Sequence, residues 1–338
     1  MTQHELIAEQ AVRMMVGEAI GQTKEEGMVL LFDRESELAR TLVSAYIAEY
    51  PWAQTWEWNP EALRPEEMRL RFHALPKGTL VILVQSTNFR LDAFRIRLEL
   101  FSRGLRTIEH VHLARMRSPE EQLRYLEACT YGPKRFTTQA TRLQEEIRKA
   151  KTADVFSHGG EVLRWNGELE EPLANTGNYE GKTNVGGTFP VGEVFTEAKE
   201  LACVSGDVRI FAMANARFEM EFFTPFRVRV KAGEVVLQGD EPEGFVSVIK
   251  QIQESERALV RELGFGLNPA FGKQAYVEDV TAFERQLGVH LSIGEKHSVY
   301  QKASVKKRDK TRFHVDVFVD VERVVLGDET IYEEGQWL

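Results

Sequence analysis

The stretch TLVILVQ, at residues 79–85, decides the fold of the first part of this chain. It is an almost unbroken run of aliphatic and β-branched residues, which is the pattern of a strand buried on both faces of a parallel sheet. GMVLLFD (27–33) is a similar short strand, and ELARTLVSAYIAEY (37–50) has helical spacing of its apolar residues. AQTWEWN (53–59) and the start of RTIEHVHLARM (106–116) also have strand patterns. Strands that alternate with helices over about 130 residues predict an open α/β domain.

Further helical segments complete this first region. DAFRIRLELFSRG (92–104) ends at a glycine, and SPEEQLRYLEACTY opens with Ser118 as the predicted N-cap. RFTTQATRLQEEIRKAK (135–151) is predicted to be a helix that carries the chain out of the domain. The region contains neither GxGxxG nor GxxxxGK(S/T), so a nucleotide site has no specific support.

The character of the sequence changes near residue 150. Glycine becomes frequent, and FRVRVKAGEVVLQGD (226–240) predicts a β-hairpin. GFVSVIKQIQESERALVREL (244–263) predicts a helix, and HVDVFVDVERVVLGDETIYEEG (314–335) predicts two strands. We therefore expect an α/β plus α+β protein: an N-terminal open α/β domain over 1–150, and a mixed, β-rich catalytic domain over 151–338.

Composition and charge exclude several classes of protein. The chain has 338 residues, 43% of them hydrophobic and 28% charged, which is ordinary for a folded domain. A net charge of −9 gives no general attraction to nucleic acid or to an anionic membrane, so neither partner is expected. The basic run KKRDK (306–310) is too short to change this and is predicted to be an exposed loop.

The cysteines and the N-terminal sequence limit the kinds of site and the cellular location that the chain can be expected to have. The two cysteines, Cys129 and Cys203, form no CxxC pair, so neither a disulfide scaffold nor a thiolate zinc site is expected. The N-terminal segment has charges throughout and lacks the pattern of a signal peptide. No apolar run approaches the length of about 20 residues that spans a bilayer. A cytoplasmic location is the resulting expectation.

Two histidines and an aspartate lie in contexts that suit metal binding. In HVD (314–316), the two-residue period of a strand directs His314 and Asp316 to the same face, about 7 Å apart along the chain. An imidazole and a carboxylate in that arrangement can share a metal ion, although a solvated strand face gives the same pattern. His290 lies in GVHLSIG (288–294) between two glycines, where backbone can approach closely.

Two glutamates have surroundings that are unusual for a solvated carboxylate. Glu193 lies in TFPVGEVF among glycine and apolar residues. Glu262, in RELGFGLNP, is predicted to lie in the last turn of the 244–263 helix, where the helix dipole disfavours an anion and a metal ion would compensate. Together with Asp316, these carboxylates carry three negative charges, which two divalent cations and one bridging hydroxide would balance.

The order of four motifs resembles the aminopeptidase S/T family of thermophilic metallopeptidases. The motifs are NTGNYEGKTNVGGTFPVGEVFTEA, RELGFGLNP, GVHLSIG and HVD, and the resemblance covers roughly residues 155–326. It implies a homodimer that acts on a small peptide or amide and uses two divalent ions, namely zinc, cobalt or manganese. The metal ligands that it implies are Glu193, Glu262, His290, His314 and Asp316.

Two positions depart from the pattern of that family. The family has a tyrosine about seven residues after the first histidine, whereas this chain has His297 there and a tyrosine only at Tyr300. Of the usual Asp-Glu-Lys run that precedes the histidine, only Glu284 corresponds. These departures bear on peptide specificity more than on metal binding.

Three functions are compatible with these residues. The first is a dinuclear metallo-hydrolase, in which Glu193 or Glu262 serves as base or ligand and His297 or Tyr300 stabilises the developing oxyanion. The second is a ring-cleaving dioxygenase with one non-haem iron, held by two histidines and a carboxylate. The third is an accessory protein that retains the site without peptidase activity. The presence of Glu193 favours the hydrolase.

Overall fold

A computed structural model describes residues 1–59, 65–87, 89–91, 94–215, 219–295, 299–303, 305 and 313–338. His297 and the basic run at 306–310 lie outside the described residues. The chain forms two compact units, each made of separate segments. Unit 1 comprises Met1–Thr137, Thr176–Gly192 and Val277–Ala282, and unit 2 comprises Thr138–Asn175, Glu193–Tyr276 and Phe283–Leu338. The domain boundary near residue 150, between 1–150 and 151–338, stays a prediction.

The elements are numbered in chain order. The helices are α1 (Gln3–Arg13), α2 (Glu37–Glu49), α3 (Pro65–Ala74), α4 (Ile96–Ser102), α5 (Pro119–Ala128), α6 (Pro133–Lys149), α7 (Glu243–Gln253) and α8 (Val280–Phe283). Shorter helical turns are a π-helical segment at Met14–Ile20 and 3₁₀ turns at Leu113–Arg115 and Leu201–Cys203. The strands are β1 (Met28–Phe32), β2 (Gln54–Glu57), β3 (Leu80–Val84), β4 (Arg90–Leu91), β5 (Phe94–Arg95), β6 (Arg106–His110), β7 (Ala153–Ser157), β8 (Val162–Trp165), β9 (Leu173–Asn175), β10 (Gly186–Thr188), β11 (Glu193–Glu197), β12 (Val204–Ala214), β13 (Met220–Lys231), β14 (Glu234–Val236), β15 (Val260–Gly266), β16 (Gly288–Ile293), β17 (Val315–Val319), β18 (Val321–Leu326), β19 (Glu329–Glu333) and β20 (Gln336–Trp337).

Unit 1 contains a parallel sheet with the strand order β10-β6-β3-β1-β2. The TLVILVQ stretch forms β3, which lies between β1 and β6 and is buried at every position. Ser118 is the N-cap of α5, as the sequence predicts, and it forms a reciprocal capping box with Glu121. These observations confirm the α/β character of the first region.

A glycine-rich segment supplies the edge strand of that sheet. Gly186, in the GKTNVGG run, has φ +105° and pairs with Thr107 of β6. A Cβ atom at position 186 would lie 1.8 Å from the carbonyl oxygen of Thr107, so only glycine allows this approach. Part of the glycine content that marks this region of the sequence therefore serves strand pairing.

Unit 2 is built on a large, mostly antiparallel sheet. Its strand order is β20-β19-β18-β7-β8-β12-β17-β16-β15-β11-β9, and β13 and β14 extend from β12. The predicted hairpin is confirmed: β13 and β14 pair from Lys231 to Glu234 across Ala232 and Gly233, both of which have positive φ. The mixed, β-rich character of the second region is also confirmed.

The helix predicted over 244–263 is wrong in its second half. Helix α7 ends at Gln253, and residues Val260–Gly266 form strand β15, buried at all seven positions between β16 and β11. A strand that is covered on both faces lacks the alternation of a half-exposed strand, so its apolar residues read as a continuation of the helix. Glu262 therefore lies on a central strand, and the helix-dipole argument for it fails.

Among the described residues, no helix combines the length and the apolar content that a membrane span requires.

Candidate metal centre

Four neighbouring antiparallel strands of unit 2, β11, β15, β16 and β17, carry the candidate residues. Glu193 on β11 pairs with Gly266 on β15, and His290 on β16 pairs with Gly264, two residues away on the same face. Asp316 lies two residues before the β17 partner of His290 and so shares that face. The register thus directs Glu193, His290 and Asp316 to one side of the sheet.

Glycine at position 264 lets His290 lie across β15. A Cβ atom on Gly264 would be 2.1 Å from Cε1 and 2.2 Å from Nε2 of His290, far inside van der Waals contact. On Gly266, a Cβ atom would be 1.8 Å from the carbonyl oxygen of Gln286. The two glycines of the LGFG sequence therefore leave the space in which the imidazole approaches the carboxylates.

Glu193, Glu262 and His290 converge on one point. The Nε2 atom of His290 lies 3.3 Å from Oε1 of Glu193 and 3.2 Å from Oε1 of Glu262. One donor atom from each of the three residues falls within 4.8 Å of the others, and all three side chains are largely buried. Two carboxylate oxygens and an imidazole nitrogen are a donor set that suits divalent transition metals.

The charge around His290 sets its protonation in the metal-free protein. Burial of the ring opposes the charged form, but hydrogen bonds and charge from Glu193 and Glu262 raise the pKa of His290 well above its ordinary value. In the metal-free protein the positively charged imidazolium is then the cation that neutralises the two carboxylates. A metal ion that replaced the proton would meet the same two oxygens.

His314 and Asp316 come together as their spacing predicts. Nε2 of His314 lies 3.2 Å from Oδ1 of Asp316, and 32% of the His314 side chain is exposed against 7% for Asp316. The pair forms a second donor set on the sheet, with the carboxylate in the interior and the imidazole nearer to solvent.

Two charged residues, Glu284 and Arg285, join the centre. Nη1 of Arg285 lies 3.1 Å from Oε2 of Glu193 and 2.5 Å from Oε2 of Glu284, so one guanidinium nitrogen links the two carboxylates. Burial and the charge of Asp316 raise the pKa of Glu284 to about 8, although Arg285 opposes the shift. The sequence reasoning missed Arg285, whose only signal was a charged Glu-Arg step just before the glycine-bounded His290 strand.

The tyrosine proposed for the oxyanion is held by the main chain. The hydroxyl of Tyr300 donates toward the carbonyl oxygens of Glu171, at 2.5 Å, and Phe195, at 3.4 Å. Burial, followed by the charge of Glu262, raises the pKa of Tyr300 above its ordinary value, so the phenol stays neutral. The other candidate, His297, lies outside the described residues.

Three buried polar atoms of this centre lack hydrogen-bond partners within the described residues. They are Nε of Arg285, Nδ1 of His290 and Oδ1 of Asp316, of which the last lies in ion-pair contact with Nε2 of His314. Buried polar atoms in folded proteins are almost always satisfied, so such a cluster indicates a site that a bound ion, water or substrate completes. The donor chemistry and the excess of carboxylates over cations both fit a divalent metal ion.

Comparisons with known proteins give similarity of structure alone. No protein-family model matches the chain, and no curated protein matches it by sequence. Among solved structures, 2,5-dihydroxypyridine dioxygenase from Pseudomonas putida KT2440 is 15% identical with a TM-score of 0.60, over 99% of this chain and 97% of that one. Wild-type AmpT from Thermus thermophilus is 16% identical with a TM-score of 0.58, over 99% of this chain and 98% of that one. The chain therefore shares the fold of both proteins along nearly its whole length.

Proposed function

We propose that this protein is a metal-dependent hydrolase, an aminopeptidase-like enzyme that cleaves a peptide or amide bond of a small substrate. The observation that carries the proposal is the convergence of Glu193, Glu262 and His290, whose donor atoms lie within 4.8 Å of one another. Support also comes from the motif order, which resembles the aminopeptidase S/T family, and from the fold that the chain shares with AmpT from Thermus thermophilus. The homodimer and the cytoplasmic location stay predictions.

In this proposal five residues hold two divalent ions, which are zinc, cobalt or manganese: Glu193, Glu262, His290, His314 and Asp316. When bound, such a pair of ions lowers the pKa of a shared water toward neutrality and polarises the scissile carbonyl. The chain contributes orientation: Arg285 ion-pairs with Oε2 of Glu193 and leaves Oε1 directed at His290. Burial of the other four side chains, Glu193, Glu262, His290 and Asp316, excludes bulk water from their donor atoms, whereas His314 is partly exposed.

The charges of the site are consistent with two ions. Glu193, Glu262 and Asp316 supply three negative charges, which two divalent cations and one hydroxide balance. A single divalent ion would leave the buried centre with excess negative charge.

Proton transfer and oxyanion stabilisation fall to residues on the chain. Glu193 or Glu262 accepts a proton as base where it is not held as a ligand. Tyr300 would have to leave its carbonyl acceptors to contact a substrate, and His297 is the alternative donor for the oxyanion.

The proposed function is tested by aminoacyl-p-nitroanilide hydrolysis with protein loaded with zinc, cobalt or manganese. We expect turnover that a chelator abolishes and the metal restores, and a loss of about 100-fold or more in Glu193→Ala. Protein that carries two ions but leaves every aminoacyl-p-nitroanilide intact would contradict the aminopeptidase proposal and favour an accessory role. Full metal content in Glu193→Ala would contradict the site assignment.

A second candidate is a ring-cleaving dioxygenase with one iron. His290, His314 and Asp316 offer two imidazoles and one carboxylate, and one structural neighbour is a 2,5-dihydroxypyridine dioxygenase. One equivalent of iron together with oxygen consumption on 2,5-dihydroxypyridine would support this function. The contact of Glu193 and Glu262 with His290 favours the hydrolase, because an iron site of two histidines and one carboxylate does not need these two glutamates.

A further inference from the structure

Arg285 is a guanidinium buried among the carboxylates of the candidate centre. Its side chain is 8% exposed, and that of Glu193, its partner at 3.1 Å, is 6% exposed. The nitrogen that contacts Glu193, Nη1, also contacts Oε2 of Glu284. The Nε atom of Arg285 is buried and has no hydrogen-bond partner within the described residues. A permanent positive charge therefore lies against a proposed metal ligand, because a guanidinium does not lose its proton in proteins.

The geometry of this contact differs from that of an arginine that fixes a carboxylate in place. Arg261, in the same unit, binds Glu197 through two bonds, from Nε at 2.6 Å and from Nη2 at 3.2 Å. Such a bidentate pair sets the orientation of the carboxylate. Arg285 instead gives Glu193 a single nitrogen, which it shares with Glu284. It therefore acts on Glu193 more through its charge than through a fixed geometry.

The two carboxylate oxygens of Glu193 face different partners. Oε2 lies 3.1 Å from Nη1 of Arg285, whereas Oε1 lies 3.3 Å from Nε2 of His290, inside the donor set that Glu262 completes. A carboxylate can bind a metal ion through one oxygen or through both. As long as Arg285 holds Oε2, only Oε1 is available to an ion in that donor set.

Burial makes Arg285 and a metal ion at this site competitors. Like charges repel strongly where water does not screen them, and both side chains of the Arg285–Glu193 pair are buried. An ion on Oε1 would share one carboxylate with the guanidinium, so each cation lowers the negative charge that the other meets. The ion is therefore bound less tightly than it would be if residue 285 were neutral.

We propose that Arg285 is a positioning residue that competes with the metal ion for Glu193, holds Oε2 away from the ion, and so keeps its coordination number and affinity low. This inference rests on the proposed metallo-hydrolase function. A catalytic metal site keeps one position open for water or substrate, and a Glu193 that bound through both oxygens would fill that position. Arg285 thereby preserves the open position that the proposed reaction needs.

The experiment compares zinc binding in Arg285→Gln and in the wild-type protein. Glutamine removes the charge and keeps a hydrogen-bond donor for Glu193, whereas Arg285→Lys keeps the charge. Arg209→Gln is the matched control, because Arg209 also pairs with a glutamate of unit 2, Glu161 at 2.7 Å, but lies outside both donor sets.

Two measurements are made on each protein. Zinc affinity is obtained by competition between the zinc-loaded protein and a chromophoric chelator at one fixed pH, so that no metal-free variant has to be stable. Visible absorption of the cobalt form reports the coordination number of the metal. Thermal unfolding of the zinc-loaded proteins checks that each variant is folded.

Arg285→Gln should hold one of its two zinc ions about 10-fold more tightly than the wild-type protein does, because the competing charge is gone. Its cobalt absorption should weaken, because Glu193 then binds through both oxygens and raises the coordination number. Arg285→Lys should lose most of this gain in affinity, and Arg209→Gln should bind zinc as the wild-type protein does.

Weaker zinc binding in Arg285→Gln would overturn the inference, because Arg285 would then support Glu193 as an orienting partner. Unchanged affinity, an unchanged cobalt spectrum, or an equal gain in Arg209→Gln would overturn it too. If Arg285→Gln does not fold even with zinc, Arg285→Met takes its place and must show the same gain. These outcomes leave the proposed function standing, whereas wild-type protein that binds no divalent ion would overturn the proposed function itself.

Discussion

At the residue scale, the candidate centre depends on glycines as much as on ligands. Glu193, His290 and Asp316 were all found from their unusual contexts in the sequence, and the strand register places them on one face. Arg285 could not be found in this way, because its role depends on a contact with Glu193, 92 positions earlier in the chain. Local patterns identify donors, whereas partners that are distant in sequence require the fold.

Gly264→Ala should disrupt the centre without removing any ligand. The added methyl would meet the His290 ring at 2.1 Å, so the imidazole must move away from Glu193 and Glu262. We expect a loss of about 1–3 kcal/mol in the free energy of unfolding and a loss of metal affinity of at least about 10-fold. Urea denaturation and calorimetric zinc titration measure the two effects.

Gly272→Ala is the matched control for this substitution. A Cβ atom at position 272 meets nothing within 4 Å, and the residue also belongs to unit 2. Its metal affinity should equal that of the wild-type protein. Unchanged zinc binding in Gly264→Ala would mean that His290 is not held in the position described.

At the element scale, strand β15 shows where sequence periodicity reaches its limit. The helix ahead of it and the strand itself have the same apolar character, so the pattern at 244–263 could not separate them. By contrast, β3, α5 and the hairpin of β13 and β14 carry local signals, namely a buried run, a capping box and a two-residue turn. Elements with such signals were predicted correctly.

A buried glutamate joins the two ends of the segment that leads to β17. Oε1 of Glu256 accepts hydrogen bonds from the backbone N–H of Glu295, at 3.0 Å, and of Phe313, at 2.9 Å. Phe313 precedes His314 directly. Glu256→Ala should therefore destabilise the protein by about 1–3 kcal/mol in urea denaturation, because both N–H groups lose their acceptor.

Glu256→Gln is the control, because its amide oxygen can accept the same two bonds. It should lose less than half of the stability that Glu256→Ala loses. Equal losses in the two variants would show that the charge of Glu256, and not its position as a double acceptor, is what matters.

An ion pair buried in unit 2 ties β11 to β15 beside the centre. Arg261 is 2% exposed in its side chain and lies 2.6 Å from the fully buried carboxylate of Glu197. Arg261→Met should cost about 3 kcal/mol in urea denaturation, because the buried carboxylate loses its cation at 2.6 Å and keeps the weaker contact with Lys302, at 3.9 Å. The double variant Arg261→Met/Glu197→Leu should recover part of this loss, and a double variant as unstable as the sum of the single ones would contradict the pairing.

At the scale of the whole molecule, the composition and the alternation of strands and helices were sufficient to predict an α/β region followed by a β-rich one. They could not predict that residues 176–192 and 277–282 return to unit 1, because strand pairing such as that of β10 with β6 joins distant parts of the chain. The order of the motifs resembles the aminopeptidase S/T family alone, whereas the fold is similar both to AmpT and to 2,5-dihydroxypyridine dioxygenase.

Metal removal should lower the stability of the whole protein. A ligand that binds only the folded state, at a free concentration of about 100 times its Kd, stabilises that state by about 2.7 kcal/mol. We expect saturating zinc to raise the Tm of the chelated wild-type protein by about 4 °C. Glu193→Ala should show a smaller rise, and an equal rise in both proteins would place the bound zinc away from Glu193.

The most direct test of the metal centre is an anomalous difference map from crystals of the zinc-loaded protein. We predict two peaks: one at the convergence of Glu193, Glu262 and His290, and the other at His314 and Asp316. A single peak bound only by His290, His314 and Asp316, with Glu193 still paired to Arg285, would contradict the dinuclear centre. Zinc found only elsewhere on the protein would contradict the metal site altogether.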